Sequence, residues 1–273
     1  MTTESGSTDS PRVNTANVLT FEQPLNERVR TLLRLEHLFK QAQFAISGND
    51  EWHYRLAVQT LIELLEILAR GDVKSDILKE LGRISLVLQR PGADDRFGHD
   101  GLERHRSKCE ALRKQLDQQA GSVASSLRQQ DLLASIIQRY GIPGGLCGFD
   151  LPRFQHWLQR SGSQRQRHLL ESWYGQLLPL YESTLLLLGV IRLVGRSECL
   201  TAVAGNWQCS LDHGNALQML RVQLPADSLC YPEISASKHF VTMRFLEPDE
   251  SGAGRARPAE SDIDFTLHYC LLT

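Results

Sequence analysis

Hydrophobic residues recur at intervals of three and four positions through the first two thirds of the chain, and this spacing predicts a series of amphipathic helices. The first run covers residues 25–46 and places its apolar side chains on one helical stripe. The second covers residues 52–70 and ends at Gly71, which suits the left-handed backbone of a helix C-terminus. Asp72 is a favourable N-cap for a third helix, over residues 73–90.

The helical pattern continues to about residue 194. An apolar seam with heptad-like spacing begins near residue 102, and either a helical hairpin or a contact between two copies could use it. Its members are Leu102, His105, Cys109, Leu112 and Leu116. A further helix is predicted over residues 123–140, and Pro152 suits the first turn of a short helix. Residues 164–194 are predicted to form one long helix.

After Arg196 the pattern changes to short segments, rich in β-branched and aromatic residues and partly alternating, which is typical of strands. The chain is therefore assigned to the α+β class, with an N-terminal all-helical domain followed by a small antiparallel β-domain. The predicted divisions are a disordered tail over residues 1–19, a helical domain over 20–196 and a β-strand domain over 197–273.

The composition of the chain also predicts its cellular compartment. The chain has 273 residues, of which 41% are hydrophobic, enough for one large domain or two modest ones. Residues 1–19 are rich in Ser and Thr, and the most apolar window, residues 184–194, is too short to span a bilayer. Six cysteines lie scattered without a CxxC pair, which fits reduced thiols. We expect a cytoplasmic protein without membrane insertion.

The sequence lacks the common signatures of enzymes. It contains no P-loop, no Rossmann glycine motif, no HExxH and no GxSxG, so we expect no enzyme, no catalytic residue and no cofactor. Cys147 with nearby His156 is the best available nucleophile and base, but a buried cysteine beside a helix start is the much commoner outcome, so we expect a structural role. His99 and His105 lie near three aspartates, yet their spacing favours a structural or solvated role over a metal site.

Residues 142–152, with the sequence IPGGLCGFDLP, form the most distinctive segment. Three glycines and two prolines prevent a continuous helix, so the backbone must turn sharply here. Such a loop could cradle a ligand, present Cys147 as a nucleophile or wedge between two helices. We interpret Pro143, Gly144 and Gly145 as structural, because backbone requirements alone account for them.

Two basic positions suggest binding. Arg70 ends a helix, where the helix dipole favours a cation, although a solvated helix end is the simpler reading. On a later strand Phe240, Thr242 and Arg244 share one face, and Lys238 precedes them. An arginine beside an aromatic ring can hold a carboxylate or stack on a side chain.

Four blocks of sequence, in order along the chain, closely resemble the ZapD family of bacterial cell-division proteins. They are FEQPLNERVRTLLRLEHLF (21–39), RGDVKSDILKELGR (70–83), IPGGLCGFDLP (142–152) followed by HW, and LCYPEIS with the later MRF (243–245). The resemblance implies a cytoplasmic, non-enzymatic homodimer with a helical domain and a β-domain. It also implies binding to the C-terminal tail of the tubulin-like protein FtsZ and bundling of its filaments at midcell during septum formation.

The family's tail-binding surface is basic, and the resemblance carries four of its positions to this sequence. Arg70 and Arg244 match it best, with Lys238 and His156 as further candidates. Binding through such residues is expected to weaken with salt, which screens exposed charges.

The match to the family is incomplete at two positions. Asp131 and Phe240 stand where the resemblance leads us to expect arginines. The pocket is then less basic than is usual in the family, and Arg128, Arg139 or His239 is expected to compensate.

One alternative function comes from another class. The strand face that carries Phe240 and Arg244 could serve a single-stranded nucleic-acid adapter, in which bases stack on aromatic rings beside arginines. The near-neutral net charge of −2 and the scarcity of clustered aromatic residues argue against it, so no nucleic acid is expected as a partner.

Overall fold

A computed structural model describes residues 18–70, 72–90, 92, 97–119, 123–211, 217–237, 239–249 and 254–272. The chain forms two compact units. A helical unit is built mainly from Asn26–Gly195, and a β-unit combines Arg196–Tyr269 with a strand that precedes the first helix. Helices followed by antiparallel strands confirm the predicted α+β class.

The helices are α1 (Glu27–Ser47), α2 (Glu51–Ala69), α3 (Val73–Leu88), α4 (His99–Gln118), α5 (Val123–Arg128), α6 (Asp131–Tyr140), α7 (Pro152–Arg160), α8 (Ser163–Gly175) and α9 (Leu178–Leu193). Side-chain caps fix the N-termini of the first three helices. Asn26 Oδ1 accepts a hydrogen bond from Val29 N at 2.9 Å, and Asp50 accepts from the first turn of α2. Asp72 accepts from Ser75 N at 3.1 Å, which confirms the predicted N-cap.

Helix α9 lies at the centre of the helical unit, against α1, α3 and α4. Apart from those at its two ends, most of its apolar side chains are buried, as Leu180, Leu187 and Val190 illustrate. The Phe39 ring of α1 stacks on the Tyr181 ring of α9, with centroids 4.8 Å apart. The removal of this apolar surface from water is the main force that holds the helices together.

A buried ion pair also joins α1 to α9. The Arg192 Nη1 and Nη2 atoms donate to Glu36 Oε1 and Oε2 at 2.9 and 2.7 Å, and Lys40 Nζ donates to Glu36 Oε1 at 3.0 Å. The Arg192 guanidinium lowers the pKa of Glu36, and Lys40 adds to this effect, although burial alone would raise it. Removal of Arg192 would leave a buried carboxylate poorly compensated.

The apolar seam of α4 is used inside the chain. Leu102, Cys109, Leu112 and Leu116 are buried, and α4 packs against α3 and α9. The Cys109 thiol donates a hydrogen bond to the Leu81 carbonyl oxygen at 3.3 Å. The structure therefore shows the helical hairpin, the first of the two alternatives for this seam.

The prediction of one long helix over residues 164–194 is wrong. Two helices, α8 and α9, cover this stretch and are bent by 58° relative to each other. Pro179 lies in the first turn of α9, where its missing N–H costs no hydrogen bond, but it cannot sit inside a continuing helix.

The strands of the β-unit are β1 (Val18–Pro24), β2 (Arg196–Ala202), β3 (Asn206–Ser210), β4 (Leu217–Pro225), β5 (Tyr231–Ala236), β6 (Phe240–Glu247), β7 (Arg257–Pro258) and β8 (Ile263–Leu271). They form two sheets, ordered β1-β4-β8-β2 and β3-β6-β5, and β7 also pairs with β6. Phe245 of one sheet and Phe265 of the other lie with ring centroids 5.1 Å apart, and Trp207 packs edge-on against Phe265. These contacts make the core between the two sheets.

Strand β1 differs from the predicted organisation, which placed residues 1–19 in a tail and residues 20–196 in the helical domain. Residues 1–17 lie outside the described part, but Val18–Pro24 pair antiparallel with β4, with Val18 opposite Pro225. The Arg221 Nε of β4 donates to Glu22 Oε1 of β1 at 2.9 Å. Sequence periodicity could not reveal this pairing, because the partner strand lies far along the chain.

Candidate functional site

A groove of about 460 Å³ in the helical unit is lined by α1, the C-terminal end of α2 and α3. Arg28 and Arg34 of α1 line it together with the predicted Arg70. Arg28 and Arg34 could not be identified from sequence spacing, because only the packing of α1 beside α2 brings them to this position.

Arg70 is the most accessible cation of the groove. It is the C-cap residue of α2, and its side chain is 81% exposed. Its Nη2 lies 3.4 Å from Glu66 Oε2, one helical turn earlier, a long contact between exposed groups that contributes little to stability. The Arg70 guanidinium thus lies near the negative end of the helix dipole, and its ion pair with Glu66 is weak.

The groove has an apolar floor. Leu32 and Ile77 are buried, while Ile67 and Val73 are half-buried at its surface. An apolar side chain placed on this floor would lose contact with water, which stabilises a complex by about 25 cal/mol for each Å² removed.

The negative charges of the acidic residues in the groove are largely balanced by nearby arginines. Glu80 is only 5% exposed, pairs with Arg28 and accepts hydrogen bonds from Arg83 Nη1 at 3.0 and 3.1 Å. Arg34 lies 3.9 Å from Glu27 and keeps most of its side chain exposed. The most exposed guanidinium groups at the rim are therefore those of Arg34 and Arg70.

Arg128 lies at the same end of α2 as Arg70. Its Nη2 donates to the Leu65 carbonyl oxygen at 3.3 Å, and its Nε is buried without a hydrogen-bond partner among the described residues. The structure thus brings these two predicted residues to one end of α2.

Arg139 and His156 occupy a different part of the helical unit, beside the glycine loop. Both side chains are exposed, and the Arg139 carbonyl oxygen accepts a hydrogen bond from Ile142 N at 3.0 Å. Arg55, which contacts this loop, and Arg70 are separated by about 22 Å along α2 at 1.5 Å per residue. The predicted set therefore does not form a single cluster in the helical unit.

Arg55 anchors the glycine loop to the first turns of α2. Its Nη1 donates to the Leu146 carbonyl oxygen at 2.8 Å, and its Nη2 donates to Gln155 Oε1 at 2.6 Å. Its guanidinium lies over the rings of Trp52 and Phe154, at 5.6 and 5.5 Å from their centroids. The loop is consequently fixed in shape, and the wedge between helices is the alternative that these contacts support.

Arg244 belongs to the β-unit. It is exposed on β6 between two neighbours, Asn206 on β3 and Glu233 on β5, which lie directly opposite it in the strand register. Phe240 is exposed on the same face of β6, as predicted, and Tyr231 of β5, opposite Leu246 in the register, is half-buried on that face. A carboxylate opposite the arginine and a single exposed aromatic residue do not make the stacking surface that the nucleic-acid alternative requires.

Lys238 lies outside the described residues. His239, one of the residues expected to compensate for missing arginines, donates its backbone N–H to Ser237 Oγ at 3.3 Å and has an exposed side chain.

An arginine that the sequence analysis missed lies beside Asp131. Arg153 Nη2 of α7 is 2.7 Å from Asp131 Oδ2, and its guanidinium holds the pKa of this carboxyl group below its ordinary value. A guanidinium is therefore present next to the position where the family resemblance leads us to expect one, but it comes from another helix.

In the described part of the chain, the residues considered for catalysis or metal binding are not arranged as a catalytic or metal site. There, no hydrogen bond joins Cys147 to His156, and both side chains are exposed. His105 Nδ1 lies 2.6 Å from the Gly101 carbonyl oxygen, one turn earlier in its own helix. The described residues contain no group of three or more His, Cys, Asp or Glu side chains that could hold a metal ion.

Within the described segments, no individual helix is both long enough and apolar enough to cross a membrane. The α8–α9 pair meets these criteria only when the two bent helices are taken together.

Comparison with known proteins gives a consistent result. The family model described as "ZapD: Cell division protein" matches residues 33–244. A cell division protein ZapD of Dechloromonas aromatica (strain RCB) is 37% identical over 255 residues, which cover 93% of this chain and all of that protein. A cell division protein ZapD of Methylococcus capsulatus is 36% identical over 258 residues, 94% of this chain and 99% of that protein. The chain therefore belongs to the ZapD family of cell division proteins.

Proposed function

We propose that the protein binds the C-terminal tail of FtsZ through a basic surface and, as a homodimer, cross-links FtsZ filaments. The observation that carries the proposal is the groove at the C-terminal end of α2, where exposed guanidinium groups border an apolar floor. Membership of the ZapD family supports a partner in the division machinery. The proposed setting is the cytoplasm at midcell, and the proposed role includes no enzymatic step.

The contacts of Arg70 favour exchange with a ligand. Its pair with Glu66 is long, at 3.4 Å, and its side chain is largely exposed. A carboxylate of the tail can therefore replace Glu66 and form shorter, bidentate hydrogen bonds. Because the floor beneath is apolar, the groove suits a peptide that presents a carboxylate next to an apolar side chain.

Arg244 is the proposed second contact, on the β-unit. It is exposed, with Glu233 opposite it in the strand register, so its guanidinium is accessible to a carboxylate of the tail. Arg128, Arg139, His156 and Lys238 stay predictions.

Bundling follows from two tail sites in one homodimer. Once one tail is bound, the second site sees a neighbouring filament at a high effective concentration, and modest affinities then give stable cross-links. A two-fold axis also presents equivalent sites in different directions.

The experiment is a titration of a fluorescently labelled FtsZ tail peptide, followed by anisotropy at low and at physiological salt. We expect salt-sensitive binding that Arg70→Glu and Arg244→Glu each weaken by at least tenfold, because each change turns an attraction into a repulsion. Arg104→Glu on the exposed side of α4 is the matched control, since it changes the net charge equally away from the groove.

The proposal is overturned if the peptide fails to bind at either salt concentration. Equal affinity of the Arg70→Glu and Arg104→Glu variants would remove the groove as the site. Retention of a single-stranded oligonucleotide at physiological salt, abolished by Phe240→Ala, would favour the nucleic-acid alternative instead.

A further inference from the structure

We infer that one end of the helical unit is a peripheral contact site for membranes that carry anionic phospholipids. Three aromatic side chains at this end, Phe44, Trp52 and Phe149, are 64%, 76% and 81% exposed. Two arginines, Arg160 and Arg165, are also exposed there. We call these five residues the aromatic-basic end. The proposed tail site uses none of them, so this inference goes beyond the proposed function and does not depend on it.

Two turns between helices meet at this end. Arg167 of α8 donates hydrogen bonds to the Ser47 and Gly48 carbonyl oxygens, at 3.3 and 3.1 Å, in the turn between α1 and α2. The Tyr54 hydroxyl of α2 donates to the Ser163 carbonyl oxygen at 3.2 Å. Ser163 is the first residue of α8, so the turn between α7 and α8 lies beside the turn between α1 and α2.

The glycine loop is the third turn at this end. Arg55 Nη1 of α2 donates to a carbonyl oxygen of the loop, three residues before Phe149, at 2.8 Å. The Arg55 guanidinium also lies 5.6 Å from the centroid of the Trp52 ring. Next to Trp52, the His53 ring lies 5.8 Å from the Phe44 ring of α1. Contacts between these elements thus connect all three exposed rings.

The cations of this end have no acidic residue near them in sequence. Arg160 ends α7 and Arg165 lies in the first turn of α8, so the two arginines flank the turn between these helices. Residues 152–170 include four arginines and two histidines but no aspartate or glutamate, and Asp150, just before them, is half-buried. No ion pair joins Arg160 or Arg165 to another described residue. Their charges are therefore available to an anionic partner.

The acidic residues next to Trp52 are paired within the chain. Asp50 accepts hydrogen bonds from the first turn of α2, and its Oδ2 lies 2.7 Å from His53 Nδ1. Glu51 Oε1 accepts hydrogen bonds from Arg55 Nη2 and Nε at 2.7 and 2.9 Å. These pairs offset the two negative charges beside the Trp52 ring, whereas the positive charges of the two arginines stay uncompensated.

This combination of rings and cations fits an anionic membrane. Aromatic side chains are favoured at the boundary between lipid tails and headgroups, where an apolar ring lies beside polar groups. Each arginine held near anionic headgroups raises membrane partitioning about fivefold. Turns at one end of a helical bundle face the same side, so a planar lipid surface can reach all three together. A peptide would instead need a concave site, and none of the five residues lines the groove that contains Arg70.

Membrane contact at this end leaves the tail site accessible. Trp52 lies in the first turn of α2 and Arg70 is the C-cap of this helix, about 27 Å away along the axis at 1.5 Å per residue. The Debye length at physiological salt is about 8 Å, so the charges of one site are largely screened at the other. A protein bound to lipid through the aromatic-basic end can therefore hold a tail peptide in the groove at the same time.

The test is co-sedimentation of the full chain with large vesicles, made either of phosphatidylcholine alone or of phosphatidylcholine and phosphatidylglycerol in equal parts. We expect the wild type to bind the anionic vesicles, to stay in solution with the neutral ones and to dissociate as salt is raised. Arg160→Gln combined with Arg165→Gln should lower the partition coefficient about 25-fold, because two contributions of about fivefold are lost. Arg104→Gln combined with Arg113→Gln, at exposed positions of α4, is the matched control and should bind as the wild type does.

A second pair of substitutions tests the rings. Trp52→Ser combined with Phe149→Ser should reduce partitioning roughly tenfold or more, because the apolar area that leaves water on binding is lost. Leu229→Ser is the matched control, because Leu229 is 84% exposed in the β-unit. Circular dichroism and urea unfolding verify that the double variant is folded, and Phe44→Ser provides a second variant if it is not.

Three results would overturn the inference: no binding of the wild type to the anionic vesicles, unchanged partitioning of the folded variants, or equal losses in the control variants. Binding of single-stranded DNA in place of the vesicles, lost in the arginine variant, would assign this end to nucleic acid instead.

The labelled tail peptide separates this inference from the proposed function. The arginine and aromatic variants are expected to bind the peptide as the wild type does, and Arg70→Glu is expected to keep its affinity for the vesicles. Failure of the wild type to bind the peptide would contradict the tail site alone. Loss of peptide binding in the aromatic variant would assign this end to the tail and contradict the membrane contact.

Discussion

Replacement of Gly145 by alanine should disrupt the glycine loop. A Cβ atom at this position would lie 1.8 Å from the Arg139 carbonyl oxygen and 2.9 Å from the Ile142 carbonyl oxygen, and neither backbone atom can move alone. The turn would have to open, with loss of the hydrogen bonds from Ile142 N to Arg139 O (3.0 Å) and from Gly145 N to Ile142 O (2.8 Å). The charged hydrogen bond between Arg55 and Leu146 would also weaken, and together these losses cost about 3 kcal/mol.

Two neighbouring glycines provide graded controls. Gly144 has φ of +75°, but a Cβ there meets its nearest atoms at 3.8 and 3.9 Å, so Gly144→Ala carries only the left-handed backbone cost of about 1–2 kcal/mol. Gly141 has φ of −76°, and a Cβ added there would meet no described atom within 4 Å, so Gly141→Ala should be neutral or slightly stabilising.

The assay is urea unfolding, with a thermal melt as the second measurement. For a unit of this size each kcal/mol shifts the melting temperature by about 2–4 °C, so Gly145→Ala should melt roughly 6–12 °C below the wild type. The expected loss of stability increases from Gly141→Ala through Gly144→Ala to Gly145→Ala. The reasoning is refuted if Gly145→Ala unfolds at the same urea concentration as Gly141→Ala.

Two further predictions concern ion pairs. Glu66→Gln should tighten binding of the tail peptide about 2–5-fold at low salt, because it removes the carboxylate that competes for Arg70; anisotropy showing equal or weaker binding would contradict this. Because the pKa of Glu36 is lowered in the folded protein, its ionised carboxylate contributes to stability at pH values above its ordinary pKa of 4.5. This contribution is lost as the pH falls through the folded-state pKa of Glu36. Arg192→Ala should therefore lower stability at pH 7 and reduce the loss between pH 7 and 4, as urea unfolding across this range would show; an equal loss in both proteins would contradict it.

Several local features followed from short stretches of sequence. Asp72 caps α3, Pro152 begins α7, and four of the five residues of the apolar seam are the buried residues of α4. Each depends on residues within one or two helical turns, so spacing and side-chain type were sufficient.

The candidate site was only partly predictable. Arg70 could be predicted because it ends a helix and lies in a block that resembles the family. Arg28 and Arg34 line the groove only because α1 packs beside α2. Arg153 reached Asp131 through the placement of α7 beside α6. No spacing rule links these residues, since their proximity depends on how whole helices pack.

The sequence by itself determined the α+β class, the order of helices before strands and the sharp turn at residues 142–152, because each follows from local periodicity or from glycine and proline. Tertiary structure alone decided that Val18–Pro24 pairs with β4 and that α8 and α9 are separate helices. It also decided which apolar side chains stay exposed, as Trp52 and Phe149 do. The reason is that strand pairing, helix packing and burial depend on partners distant in sequence.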